Sequence, residues 1–144
     1  MQNTDTIHLL QECDAGAKMA VTSIDDILEK VYDSDLKRLL QESKAHHEEL
    51  ERELDTLLNR YKIEEKEPSA IAKSMSWIKT NMKMSMNGSD ETVADLITDG
   101  CNMGIKSLHR YLNQYKMADH ASKEMCMKLI DIEEQLCKGI RKYL

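Results

Sequence analysis

Residues 34–63 read SDLKRLLQESKAHHEELERELDTLLNRYKI, and the fold turns on where their inward positions fall. Leu36, Leu40, Ser43, His47, Leu50, Leu54, Leu57 and Tyr61 recur at alternating steps of three and four, the seam of a helix packed in a bundle. His46, Glu48, Glu49, Glu51, Arg52 and Glu53 fall on the other side, at ion-pair spacing, and form a solvated face. A helix over about 34–63 is predicted, roughly 45 Å long at 1.5 Å per residue.

On its N-terminal side, Tyr32-Asp33-Ser34 breaks the rhythm, and Asp33 or Ser34 offers a side-chain oxygen to cap the helix. Before the break, Leu10, Cys13, Ala17, Ala20, Ile24, Ile27 and Val31 repeat the same seam, which predicts a helix over about 5–31. The link is only a few residues, so the two helices form an antiparallel hairpin. On the C-terminal side, Glu64-Glu65-Lys66-Glu67 and Pro68, the single proline, interrupt the pattern. Ile71, Met75, Trp77, Ile78 and Met82 suggest a shorter helix inside the connection 64–89, which Asn87-Gly88 closes.

From Ser89 or Asp90 a third helix over about 90–115 turns Val93, Ile97, Cys101, Gly104, Leu108, Leu112 and Tyr115 inward. A short link leads to a fourth, over about 119–143, with Met125, Leu129, Ile132, Leu136 and Ile140 on one stripe and Cys126, Ile130, Glu133 and Cys137 on a second. Hairpin, long crossover, hairpin is the expected order: an all-α four-helix bundle, with a connection long enough to run the length of the bundle. An internal repeat agrees with it. Cys13-Asp14-Ala15-Gly16-Ala17-Lys18 aligns with Cys101-Asn102-Met103-Gly104-Ile105-Lys106, and Gly16 and Gly104 are small enough to let neighbouring helices approach.

Composition bounds the class from the other direction. The 144 residues point to one domain over 1–144. With 41% hydrophobic and 32% charged residues the chain is too apolar for a disordered tail, and it has no apolar run long enough for a membrane span. Phe 0 and 4% aromatic residues leave too little β-forming material for a many-stranded sheet. A net charge of −6 disfavours nucleic acid and anionic membrane as ligands. The beginning, Met1-Gln2-Asn3-Thr4-Asp5, has neither a basic start nor an apolar h-region, so the expected compartment is the cytoplasm, where thiols stay reduced. Cys13, Cys101, Cys126 and Cys137 have no CxxC spacing and read as small core residues.

Ser74-Met75-Ser76-Trp77, the block from Val93 to Ile105 with its Asn102-Met103-Gly104-Ile105, and the ending from Glu133 to Leu144 carry a resemblance. Over nearly its whole length the chain resembles uncharacterised ferritin-like proteins of anaerobic Gram-positive bacteria, in the wider ferritin and rubrerythrin superfamily. The resemblance implies a ferritin-like bundle, and in the wider superfamily two iron ions held between the helices. This sequence does not supply that centre. A di-iron bundle needs a Glu from each of two helices and a Glu-x-x-His from each of the other two. Here Ser43 and Lys44 stand where the carboxylates before His46 and His47 belong, and no His follows Glu133 or Glu134 at the third position.

What survives is a set of three, His47, Glu133 and Cys101, each near the midpoint of its helix. They are either weak candidates for one bound metal, iron or another transition metal, or a buried His47–Glu133 hydrogen-bonded pair beside an inert thiol. Met82, Met84 and Met86 are soft thioethers, but positions two apart point in different directions on a helix, so they read as adaptable packing. Their exposed remainder offers a surface for a protein partner. No phosphate loop, nucleophile elbow or His-Glu-x-x-His occurs. The expected function is non-enzymatic, a structural, interaction or stress-related protein with no cofactor and no catalytic residue. The alternatives are a rubrerythrin-like metal protein with an atypical site at His47 and Glu133, and a helical module binding a partner through the Met-rich crossover. A homodimer through an exposed helix face fits bundles of this kind.

Overall fold

A computed structural model describes residues 3–64 and 89–144. They form four helices, α1 (Thr4–Leu28), α2 (Ser34–Tyr61), α3 (Asp90–Gln114) and α4 (His120–Ile140), and a closing 3₁₀ turn, Arg141–Tyr143. There is no strand among the described residues. None of the helices is long and apolar enough to cross a membrane.

Each helix starts on a side-chain oxygen that satisfies a backbone N–H left without an intrahelical partner. Asn3 accepts from Thr6, Asp33 from Asp35 and Leu36, Ser89 from Thr92, and Asp119 from Ser122. The ends are equally local. The first helix stops at Leu28 rather than 31 because the Lys30 and Val31 amides bond three residues back, to Ile27 and Leu28, and tighten the chain into a turn. The fourth gives way after Ile140, where residues 141–143 wind into the 3₁₀ turn. At the end of α2, Lys62 takes a left-handed φ of 57° while its amide bonds Asn59 O and the Ile63 amide bonds Leu58 O, a Schellman motif built without glycine.

Hydrogen bonds between the ends fix the helix directions. The Asp90 carboxylate, opening α3, accepts from the Tyr32 and Asp33 amides at 2.8 and 2.9 Å, so α3 begins beside the α1–α2 turn. At the opposite end the Met117 amide bonds Asp5, Asn3 bonds Met117 O, and the Asp119 amide bonds Thr6 Oγ1. Hence α1 and α4 run one way and α2 and α3 the other.

The core has two apolar layers with a polar level between them. One holds Leu9, Leu10, Cys13, Leu50, Leu54 and Leu129, among others, and the second holds Ile24, Ile27, Leu36, Leu40, Ile97, Leu136 and Ile140. Ser43, His47 and Glu133 lie between the layers in sequence on α2 and α4, and all three are buried. Every position of the α2 seam is buried except Tyr61, which is half-buried against the first layer.

Candidate functional site

The α2 seam delivers His47 to the bundle centre with no exposed surface, and the second stripe of α4 delivers Glu133 to the same level. His47 Nε2 lies 3.1 Å from Glu133 Oε1, and His47 Nδ1 lies 2.7 Å from the carbonyl oxygen of Ser43, one turn earlier in α2. A carbonyl only accepts, so Nδ1 carries a proton and donates it. The proton between Nε2 and Oε1 is then what distinguishes an imidazolium–carboxylate pair from a neutral one. Burial disfavours the charged imidazole, but the Glu133 hydrogen bond and charge, the Ser43 carbonyl and the charge of Glu51 outweigh it, and the His47 pKa is raised. The ion pair is the state this favours.

Gly104 on α3 faces the pair. A Cβ there would lie 3.8 Å from Glu133 Cδ and 3.9 Å from both carboxylate oxygens, ordinary van der Waals contact. At Gly16 the Cβ position lies 3.6 Å from Leu129 Cδ2, again ordinary contact, so neither position is so crowded that only glycine fits.

Cys101, also on α3, lies near the Glu133 carboxylate. Burial, and then the Glu133 charge, push its thiol well above the ordinary range, so it stays protonated. A metal requires the thiolate. His47, Glu133 and Cys101 thus gather at one level, but no group of three His, Cys, Asp or Glu side chains among the described residues is arranged to hold a metal ion. In this arrangement the imidazole and the carboxylate are turned on each other.

All four cysteines are buried and none is joined in a disulfide. Cys126 on α4 donates its thiol to the Leu108 carbonyl of α3 at 3.7 Å. Met82, Met84 and Met86, with the rest of the crossover helix, lie outside the described residues.

An open-sided cavity of about 470 Å³ lies between α1 and α3, where these two helices pack less tightly than the hairpin partners. His47 and Glu133 contribute to its wall. So does Glu12 on α1. Burial, and then the Glu12 charge, push the Tyr111 hydroxyl up to about 12. Glu12 precedes the seam residue Cys13 by one position, so the three-four rhythm hides it. Comparison with protein-family models, with curated proteins and with solved structures gives no match for this chain.

Proposed function

We propose that the chain is a ferritin-like bundle working without a metal centre, as a non-enzymatic structural, interaction or stress-related protein. The observation that carries the reading is the 3.1 Å contact between His47 Nε2 and Glu133 Oε1, which uses on each other the two side chains best suited to hold a metal at mid-bundle. The ferritin-like topology has its own support. Glu64, after α2, is tied to Gln11 near the start of α1, whereas Asp90 is tied to the turn after α1, so 64 and 90 stand at opposite ends of the bundle. A one-crossover connection joins helices in that way.

Metal analysis of protein expressed without oxygen, in medium supplied with iron, zinc and cobalt, tests the reading. Less than about a tenth of an equivalent per chain is expected, since a site lacking a third ligand binds weakly. A stoichiometric metal lost on His47→Ala would overturn it in favour of a rubrerythrin-like protein with an atypical site.

A further inference from the structure

We propose that the cavity between α1 and α3 binds a neutral medium-chain alcohol, its hydroxyl donating to Glu133 at mid-cavity and its alkyl chain running toward Ile24 and Leu96. Shape gives the first argument. At about 470 Å³ the cavity lies in the range that holds small-molecule ligands. Its walls carry many small or apolar side chains, among them Ala15, Gly16 and Ala20 on α1 and Gly100 and Gly104 on α3. Such walls take up a hydrocarbon chain and offer it few hydrogen-bonding groups. From Gly104, which faces Glu133, to Leu96 is about 12 Å along α3 at 1.5 Å per residue, room for an alkyl chain of medium length.

Hydrogen bonding selects the end group and its place. Ile24, Leu96, Ile97 and Leu136 belong to one apolar layer and make one end of the cavity apolar, whereas His47 and Glu133 bring polar atoms to its middle. The Glu133 carboxylate meets His47 through Oε1. A carboxylate offers about four lone-pair sites, so it has capacity for an O–H donor as well, in a charge-assisted bond stronger than a neutral one. A fatty-acid carboxylate in the same place meets the Glu133 charge without a cation to balance it. Among the described lining residues there is no Lys or Arg, and both His47 nitrogens are engaged, Nδ1 by the Ser43 carbonyl and Nε2 by Glu133.

The test is calorimetric titration of the full chain at pH 7 with octanol, octanoate and heptyl methyl ether, an isomer of octanol that accepts a hydrogen bond but donates none. Octanol is expected to bind one per chain, octanoate at least tenfold more weakly and the ether at least fivefold more weakly. Affinity should rise about fourfold for each methylene from hexanol to octanol, the value of about 0.8 kcal/mol per buried methylene. Gly100→Leu fills the cavity from a position where a Cβ meets nothing within 4 Å, and should weaken octanol at least tenfold with the melting temperature kept. Ala20→Leu fills it from the α1 side and serves if the first variant is unstable. Nuclear Overhauser contacts fix the orientation, with the carbinol hydrogens of octanol expected against Gly104 and its methyl group against Leu96. No saturable octanol binding, octanoate or the ether binding as tightly as the alcohol, the two ends reversed, or unaltered binding in both folded filling variants would overturn the proposal.

Discussion

His47 on α2 and Glu133 on α4 meet at 3.1 Å in the polar level between two apolar layers, and the imidazole has no exposed surface. Taking charges out of water is costly unless they are paired, so removing one partner should cost far more than removing both. His47→Leu or Glu133→Leu alone should each lower the unfolding free energy by about 3 kcal/mol, toward the range for a broken buried pair. The double variant, which leaves no unpaired charge, should lose less than either single variant. Urea unfolding of the four proteins measures this coupling, and additivity within about 0.5 kcal/mol would mean the pair does not interact.

The same pair sets a pH dependence with a definite sign. The folded state raises the His47 pKa above its ordinary value of 6.5, so the folded protein holds the proton more tightly than the unfolded chain. That contribution is complete below pH 6.5 and is lost as pH rises through the raised folded value. The denaturation midpoint should therefore fall between neutral and mildly alkaline pH in the wild-type protein. With His47→Gln the fall should disappear over that window.

The seam of α2 was legible because every third or fourth residue from Leu36 to Tyr61 faces one way, and the structure buries that row. His47 and Glu133 were legible as inward mid-helix residues for the same reason, and their meeting follows from the helix directions. The place of Glu12 was not legible. A helix that loosens from its neighbour exposes flanking positions to a cavity, and this depends on the separation of α1 and α3, which no local pattern records. Asp14 was missed in a different way. It is buried, yet its Oδ2 bonds Lys18 Nζ at 2.9 Å one turn on, so a core position carries a charge that periodicity assigns to the surface.

Three backbone positions should respond with different signs. Gly100→Ala adds a Cβ with nothing within 4 Å inside a helix, so it should stabilise by up to about 1 kcal/mol from helix propensity. Gly139→Ala brings its Cβ to 2.9 Å from Leu39 Cδ1, and the side-chain shift that follows should offset most or all of that gain. Lys62→Gly relieves a left-handed φ of 57° and should stabilise by about 1 kcal/mol. Thermal unfolding orders the three, and a Gly139→Ala protein more stable than Gly100→Ala would contradict the packing argument.

Asp119 joins the start of α4 to the end of α2. Its Oδ1 accepts from the Ser122 amide at 2.8 Å and its Oδ2 from the Tyr61 hydroxyl at 2.8 Å. Burial works against the ionised form, but the bonds from the Ser122 amide, Tyr61 and the Ser122 hydroxyl, with the charge of His120, outweigh it and hold its pKa below the ordinary 3.8. The stability it contributes is present above pH 3.8 and is lost as pH falls through the lower folded value. Asp119→Ala removes a helix cap and a second hydrogen bond together, and should cost about 2 kcal/mol at pH 7. Asp33→Ala removes an exposed cap alone, bonded at 2.8 and 3.0 Å to the Asp35 and Leu36 amides, and should cost about 1 kcal/mol. Asp119→Asn keeps an acceptor for the Ser122 amide but no longer titrates, so it should flatten the acid limb of the stability profile relative to the wild-type protein. Chemical denaturation between pH 2 and pH 5, a range bracketing the carboxylate titration, separates these outcomes.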